Sequence, residues 1–207
     1  MIKVVFLGTT PLSIGVLSAL VDAQYNIAAV ITQPDRECGR GRKLTAPPVK
    51  VWSQDQEFKV LQPDKVNRKD FLDEINKIAP DIMIVAAYGQ ILRSSLLEIA
   101  PFGCINVHAS LLPRYRGADP IRWVILNGEK KTGVSIMLMD EGIDTGPVLA
   151  TREVMIEDSE NSIILENKLG KIGGELLVEV LPAWIEGKIK PIPQSNEQAS
   201  YAGKIPK

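Results

Sequence analysis

The stretch Gly103-Cys-Ile-Asn-Val-His-Ala-Ser-Leu-Leu-Pro-Arg-Tyr-Arg-Gly-Ala118 begins as a strand and ends as a loop. Its first residues form a short apolar pattern, which a serine, a proline and a glycine then break. Asn106 and His108 stand two residues apart where the strand ends, so an extended chain projects both side chains from one face of a sheet. His108 is the only histidine in the sequence, and any imidazole chemistry near neutral pH must therefore use it.

Apolar runs alternate with helical patterns on both sides of this stretch. Strands are predicted near 2–7, 27–31, 58–61, 81–87, 103–108, 133–139 and 146–156, and helices near 11–22, 49–56, 69–78, 120–127 and 161–187. This alternation predicts an α/β fold with a doubly wound, mostly parallel sheet, in which ligands bind beyond the carboxyl ends of the strands. The segments 87–93 and 108–118 both leave such ends, so we expect them to border one cleft. Residues 33–48, rich in proline, glycine and basic side chains, are expected to form a long mobile loop.

Length and composition bound the kind of protein. A chain of 207 residues has the size of one large domain, and 24 basic against 25 acidic residues give no global signature of nucleic-acid or membrane binding. No apolar run reaches the roughly 18–20 residues that span a bilayer, and the start lacks a signal-peptide layout. We therefore expect a cytoplasmic, monomeric protein with no membrane partner. One histidine and two distant cysteines, Cys38 and Cys104, predict neither a metal site nor a disulfide.

Several common site motifs are missing from the sequence. The first strand ends at Gly8-Thr-Thr-Pro rather than at Gly-x-Gly-x-x-Gly, and no acidic residue ends the second strand to hold a ribose, which disfavours nicotinamide and flavin binding. The triphosphate-binding Gly-x-x-x-x-Gly-Lys-Ser/Thr loop and the Gly-x-Ser-x-Gly elbow are also absent. The sequence therefore contains no motif that supports phosphoryl transfer or serine hydrolysis.

The residues that remain suit acyl transfer to an amine. An asparagine can donate to an oxyanion, a histidine can donate or shuttle a proton, and a carboxylate from the acidic loop 140–144 can orient that histidine. No covalent enzyme intermediate is needed, which accounts for the missing nucleophile. Asn, His and Asp occur together in many proteins, so this constellation alone leaves the reaction open.

Two segments, Asn106–Ala118 and Thr132–Pro147, resemble the formyltransferases that use 10-formyltetrahydrofolate, most closely the branch that formylates methionyl-tRNA. The segment Gln33–Lys50 is similar to a loop which that family inserts near its N-terminus. The resemblance covers essentially the whole chain and implies a Rossmann-like formyltransferase fold. It further implies a catalytic domain over 1–189 and a linker over 190–207, leading to a basic C-terminal domain that is absent here.

The resemblance also assigns roles to particular residues. Asn106 and His108 are expected to stabilise the oxyanion, and Asp144 to orient and charge His108 and to assist proton removal from the amine. Contacts with the co-substrate 10-formyltetrahydrofolate are expected from Ile91, Leu92, Ser110, Leu111, Leu112, Pro113, Met139, Asp140, Glu141 and Gly142. Contacts with methionyl-tRNA are expected from Arg36, Arg40, Arg42 and Lys43, because arginine and lysine on a flexible tether can follow phosphates and stack on unpaired bases.

Three alternatives stay open at the level of sequence. A formyltransferase acting on a small amine, such as an amino sugar nucleotide or glycinamide ribonucleotide, would keep the three catalytic residues but would have no use for the basic segment. A folate-binding module would bind the co-substrate without transferring its formyl group. A nucleotide-binding Rossmann domain would bind a nicotinamide cofactor.

Overall fold

The computed structural model describes residues 1–39 and 41–206. Within these residues the strands are β1 Lys3–Gly8, β2 Asn26–Ile31, β3 Arg36–Cys38, β4 Lys43–Thr45, β5 Val60–Leu61, β6 Ile82–Ala86, β7 Cys104–His108, β8 Lys131–Leu138 and β9 Val148–Met155. The helices are α1 Pro11–Asp22, α2 Pro48–Asp55, α3 Lys69–Ile78, α4 Ser94–Leu97, α5 Pro120–Leu126 and α6 Ser162–Ile185, followed by a short 3₁₀ turn at Asn196–Gln198.

The main sheet has the strand order β5-β2-β1-β6-β7-β8-β9. The first five strands in this order, β5, β2, β1, β6 and β7, run parallel to one another. Strands β8 and β9 are antiparallel to their neighbours. Because β8 runs back beside β7, His108 lies opposite Ser135, and the loop that follows β8 starts beside the first residues of β7. The sheet confirms the predicted α/β class with mostly parallel strands.

Helices cover both faces of the sheet, as a doubly wound fold requires. One core packs α1 and α6 against the sheet and includes Ile105 and Val107 of β7. The other core packs α3 and α4 against the opposite face and includes Cys104. Since side chains alternate along a strand, Asn106 and His108 lie on the face that carries Cys104. The prediction that these two polar side chains share one face is confirmed.

The segment expected to be a long mobile loop contains regular structure. Strands β3 and β4 pair antiparallel, with Arg36 opposite Thr45 and Cys38 opposite Lys43. Gly39 and Arg42, near the two strand ends, take the left-handed φ values of 71° and 46° that a tight reversal needs. The proline and glycine content therefore marked the reversal of a hairpin, and the expectation of an irregular loop was wrong.

The chain after α6 returns to the domain. Ile192 forms an isolated antiparallel bridge with Val148 at the edge of β9, and Tyr201 forms a parallel bridge with Arg116. Ala202 is completely buried. Residues 192–203, called the C-terminal strap below, thus pack against the loops that leave β7 and β8, while the domain boundary near 189 remains a prediction. No helix in the described ranges is long and apolar enough to cross a membrane.

Candidate active site

The structure brings Asn106, His108 and Asp144 together at the carboxyl end of β7. Asn106 Nδ2 donates to Asp144 Oδ1 over 3.3 Å, and His108 Nδ1 lies 3.6 Å from Asp144 Oδ2. Asn106 and His108 are buried, with 9% and 6% of their surface exposed. The three side chains predicted to act together therefore form one cluster, although Asp144 follows Asn106 by 38 residues.

The two ring nitrogens of His108 have different surroundings. Nε2 lies 2.9 Å from the carbonyl oxygen of Tyr115. A carbonyl can only accept a hydrogen bond, so this contact requires a proton on Nε2. Nδ1 faces the Asp144 carboxylate at a distance too long for a good hydrogen bond, and it remains the ring nitrogen able to turn to a substrate atom.

Asp144 is held by both of its carboxylate oxygens. Oδ1 accepts from Asn106, and Oδ2 accepts from the backbone N–H of Gly117 over 2.7 Å. The Asp144 backbone has a φ of 53°, in the left-handed region that costs free energy for residues other than glycine. These donors fix the plane of the carboxylate and set it against the ring of His108.

The loop after β7 is anchored to β8 by one serine. Ser135 Oγ donates to the Ser110 carbonyl oxygen over 2.7 Å and accepts from the Leu112 N–H over 3.0 Å. Farther along this loop, the Tyr115 hydroxyl donates to Glu129 over 2.6 Å. That hydrogen bond and a contact with Arg114 lower the pKa of Glu129 below its ordinary value, although desolvation opposes them. These contacts set the position of Tyr115, whose carbonyl oxygen meets His108.

A cavity of about 550 Å³ opens between α4, the start of β7 and the end of β8. It is lined by elements that also carry the cluster, because Cys104 lies on the strand of His108 and Asp140 lies in the loop of Asp144. Its lining residues are Ser94, Leu97, Glu98, Gly103, Cys104, Leu138, Met139, Asp140 and Glu141. The loop is braced locally by Thr145 Oγ1 and the Gly142 N–H, which both donate to Asp140 Oδ1.

The ten residues expected to contact folate do not all surround this cavity. Met139, Asp140 and Glu141 line it, and Gly142 follows them in the same loop. Leu92 is buried in the core on the α3 side, and Ile91 is exposed. The remaining four belong to the loop after β7: Ser110 is fully buried, Leu111 packs near Gly133, and Leu112 and Pro113 line a second cavity with β9 and the strap.

Sequence reasoning missed the lining residues from α4 and the start of β7. Cys104 could have been found, since it stands two residues before Asn106 and therefore shares its face of the sheet. Burial raises the pKa of the Cys104 thiol well above its ordinary value, so this side chain lines the cavity as a small apolar group. Leu97 belongs to a four-residue helix that no periodic pattern reveals.

Of the basic residues predicted to contact tRNA, Arg36, Arg42 and Lys43 lie on the β3–β4 hairpin, which follows the carboxyl end of β2. Arg42 and Lys43 are exposed, whereas Arg40 lies outside the described residues. Arg36 Nη2 donates to Gln33 Oε1 over 2.9 Å, and Gln33 Nε2 donates to the Tyr88 carbonyl oxygen beyond β6. Arg36 therefore helps to anchor the hairpin, and Arg42 and Lys43 are exposed cations of it, together with the exposed acidic Glu37 on β3.

Solved structures of similar fold place this architecture among known proteins. The glycinamide ribonucleotide transformylase 1 of Symbiobacterium toebii aligns with a TM-score of 0.72 at 18% identity, over 93% of this chain and 94% of that one. An N-formyltransferase of Helicobacter canadensis, solved with folinic acid and dTDP-3-aminofucose, aligns with a TM-score of 0.70 at 20% identity, over 99% and 71%. At these identities the likeness establishes the fold, and it confirms the formyltransferase fold expected from sequence.

Curated relatives are much more similar in sequence. A methionyl-tRNA formyltransferase of Pelobacter propionicus is 47% identical over 205 residues, which cover 99% of this chain and 64% of that protein. The chain thus spans slightly less than two thirds of that relative's length. The formyl transferase family model matches residues 2–181, nearly the whole α/β domain that carries the cluster and the cavity. The chain therefore belongs to the formyl transferase family.

Proposed function

We propose that this protein transfers the formyl group of 10-formyltetrahydrofolate to the α-amino group of methionyl-tRNA. The observation that carries the proposal is the buried cluster in which Asp144 contacts both Asn106 and His108, on the same strand and loop that line a cavity of about 550 Å³. The cluster supplies an amide donor, an imidazole and a carboxylate, the groups that direct formyl transfer to an amine needs.

The chemistry follows from the positions of these groups. The amine nitrogen attacks the formyl carbon, a C–N bond forms, and the formyl oxygen takes up negative charge. Asn106 Nδ2 and a protonated His108 Nδ1 are the donors available to that oxygen. The bond to the folate nitrogen then breaks, the oxygen returns to a carbonyl, and the proton lost by the amine is delivered to the leaving nitrogen.

Asp144 has two roles in this scheme. Its carboxylate stabilises the charged imidazole of His108 at 3.6 Å, and it receives the proton of the attacking amine through water. Gly117 and Asn106 keep the carboxylate from rotating away while this charge moves. Preorganised donors and charges of this kind lower the barrier because they need not reorient during the reaction.

The cavity suits a flat heteroaromatic ring. Its volume lies in the roughly 300–1,000 Å³ range of small-molecule sites. Leu97, Leu138 and Met139 offer apolar surface to the ring faces, and the backbone at Asp140 and Glu141 offers hydrogen bonds to its edge. The Helicobacter canadensis protein, which shares this fold, was solved with folinic acid, and this supports a folate as the formyl donor.

Two observations support methionyl-tRNA as the acceptor. The Pelobacter propionicus relative bears that activity in its name and is 47% identical over 99% of this chain. Arg42 and Lys43 also project from the hairpin at the carboxyl edge of the sheet, the same edge as His108. Cationic side chains at that edge can hold the phosphates of a tRNA acceptor end while its aminoacyl group enters the site.

A formyl-transfer assay with 10-formyltetrahydrofolate tests the proposal. Methionyl-tRNA is compared with glycinamide ribonucleotide and an amino sugar nucleotide, each at low and moderate salt. The double variant Arg42→Glu/Lys43→Glu is expected to raise the KM for methionyl-tRNA and to flatten its salt dependence. Lys77→Glu is the matched control, because this exposed lysine ends α3 at the opposite, amino edge of the sheet.

Product on methionyl-tRNA, with a KM that rises only in the hairpin variant, would establish the reaction and its acceptor. Turnover of a small amine without turnover of methionyl-tRNA would keep the chemistry and reject the acceptor. Folate binding without transfer to any of the three amines would reject the enzymatic function.

A further inference from the structure

Arg116 is the largest fully buried side chain of the domain. Burying a cation is costly unless hydrogen bonds replace its water. Arg116 Nε and Nη2 both donate to Gln194 Oε1, over 3.0 and 2.9 Å, and Nη1 donates to Asn196 Oδ1 over 3.0 Å. Both acceptors are neutral amides of the C-terminal strap, so the docked strap supplies the hydrogen bonds that replace the water which the buried guanidinium has lost.

Gln194 connects this buried charge to the cluster. Its Oε1 accepts two hydrogen bonds from Arg116, and its Nε2 donates to the Asp144 carbonyl oxygen over 2.9 Å and to that of Gly146 over 2.6 Å. A primary amide has two donors and accepts through one oxygen, and all of this capacity is used here. A flipped amide would turn its NH₂ to the guanidinium and its oxygen to two carbonyls, so only one orientation is compatible with these partners.

The strap also holds the other loop of the site. Tyr115 N–H donates to Ser200 Oγ over 2.9 Å, and Ala202 N–H donates to the Arg116 carbonyl oxygen over 2.6 Å. Tyr115 supplies the carbonyl oxygen that meets His108, and Gly117 supplies the N–H that meets Asp144. The strap therefore holds the loop after β7 and the loop after β8. The contact between these two loops places Asp144 next to His108.

We propose that Gln194 and Arg116 are positioning residues that set Asp144 against His108, so that docking of the strap completes the site. The inference rests on the proposed function, in which this pair charges the imidazole and takes the proton of the amine. Neither residue touches the cluster's reacting atoms. Gln194 acts through the backbone of Asp144, and Arg116 acts by fixing the amide of Gln194.

Gln194→Glu is the sharpest test, because it keeps the length of the side chain and its contact with Arg116. A carboxylate has no N–H for the Asp144 and Gly146 carbonyl oxygens and repels them. Misplacement of a catalytic group by about 1 Å costs on the order of 10²-fold in rate. We expect kcat to fall by about that factor, with the KM for 10-formyltetrahydrofolate unchanged within about twofold, because neither Gln194 nor the two residues whose carbonyl oxygens it binds line that cavity.

A spectroscopic readout separates positioning from folding. His108 is the only histidine, so a ¹⁵N-labelled chain gives one pair of ring-nitrogen resonances. Gln194→Glu is expected to shift them at fixed pH, whereas Gln198→Glu, an exposed change in the same strap, is expected to leave them and kcat unchanged. If Gln194→Glu does not fold, Gln194→Met removes the same hydrogen bonds with an uncharged side chain of similar length.

Resonances and kcat that match the wild type in a folded Gln194 variant would overturn the proposal. A resonance shift with a lower kcat and an unchanged KM for the folate would support it. If the wild-type chain formylates no acceptor, the proposed function fails, and the His108 resonances alone then decide whether Gln194 positions Asp144.

Discussion

The cluster at the end of β7 and the β3–β4 hairpin lie at the same edge of the sheet but are built in opposite ways. In the cluster, His108 and Asp144 have partners from the loop after β7 and from the strap, and both side chains have little exposed surface. In the hairpin, Arg42 and Lys43 are exposed, and the contacts that hold it lie at its base, where Lys50 and Gln62 bind Asp35. The cluster is therefore held by contacts on several sides, whereas the hairpin is held by contacts at its base.

The difference shows how one domain can hold reacting groups rigidly in one place and present exposed charge to a large substrate in another. Transfer of a formyl group needs donors fixed to a fraction of an ångström, which buried hydrogen-bonded side chains provide. Contact with a large polyanion needs charge that can adjust its position, which an exposed hairpin provides. If this contrast is right, changes in the cluster should alter rate or global stability, and changes in the hairpin should alter acceptor binding or local stability only.

The largest effect is expected from the cluster itself. His108→Ala removes the imidazole. In Asp144→Asn an amide nitrogen replaces one carboxylate oxygen, so either Asn106 Nδ2 or the Gly117 N–H loses its acceptor and faces another donor. Each change is expected to lower kcat by roughly 10²–10⁴-fold in the formyl-transfer assay. Equilibrium binding of the folate should remain nearly intact, because neither side chain lines the cavity. A rate within a few-fold of the wild type in either variant would remove that residue from the mechanism.

A pattern in the sequence predicted that Asn106 and His108 share one face of the sheet, but no pattern predicted that Asp144 joins them. Alternation along one strand was enough to put Asn106 and His108 on one face. Asp144 could be chosen among the acids of its loop only through resemblance, because no spacing rule links it to β7. The Arg116–Gln194 contact joins residues 78 apart, and a buried arginine satisfied by an amide leaves no periodic pattern.

The second expected effect tests how tightly the strap is docked. Gly117 has a φ of 114°, and a Cβ added there would lie 2.7 Å from the Ala202 carbonyl oxygen. Gly117→Ala therefore combines a strained backbone with a collision against the strap, at a cost of about 1–3 kcal/mol. For a chain of this size that corresponds to a fall of roughly 2–4 °C in melting temperature per kcal/mol.

Gly203→Ala is the matched control for that change. An added Cβ at Gly203 meets no atom within 4 Å, although the residue lies one position after Ala202. Its melting temperature should equal that of the wild type. Equal melting temperatures for Gly117→Ala and Gly203→Ala would show that the strap is not tightly packed against this loop.

A glycine of the hairpin gives the corresponding test of the other region. Gly39 has a φ of 71°, but an added Cβ meets nothing within 4 Å. Gly39→Ala is therefore expected to cost only the backbone strain, about 1 kcal/mol, and to leave the global melting temperature unchanged. Amide hydrogen exchange in β3 and β4 should accelerate about fivefold, since 1.4 kcal/mol corresponds to a factor of ten. A lower global melting temperature would mean that the hairpin unfolds together with the domain.

In the hairpin, the structure has two paired strands where the sequence predicts a loop. Turn-forming residues around Gly39 predict a loop and hide the two strands, because strands of three residues are too short to give a period. The ties at its base come from Lys50 and Gln62, which lie on a helix and beyond a strand. Such contacts depend on how the elements pack, so the sequence shows the basic charge of this segment but not its anchoring.

The smallest expected effect concerns the pH dependence of that anchoring. Hydrogen bonds from Gln62 and Lys50 lower the pKa of Asp35 below its ordinary value of 3.8. A group whose folded-state pKa is lowered stabilises the fold above its ordinary pKa, and the stabilisation disappears as the pH falls through the lowered value. Asp35→Asn should therefore speed hydrogen exchange in β3 and β4 relative to the wild type at pH 5–7, and the difference should begin to shrink below about pH 4 and vanish only once the pH has fallen through the lowered pKa.

Asp73→Asn, on the exposed side of α3, should leave exchange in the hairpin unchanged at every pH. The melting temperature of Asp35→Asn should also stay close to that of the wild type near neutral pH, because the ion pair ties only the base of the hairpin. If instead Asp35→Asn lowered kcat for methionyl-tRNA without raising its KM, the base of the hairpin would be coupled to the cluster. The two regions would then have to be treated as one hydrogen-bonded unit rather than as a rigid site with an adaptable arm.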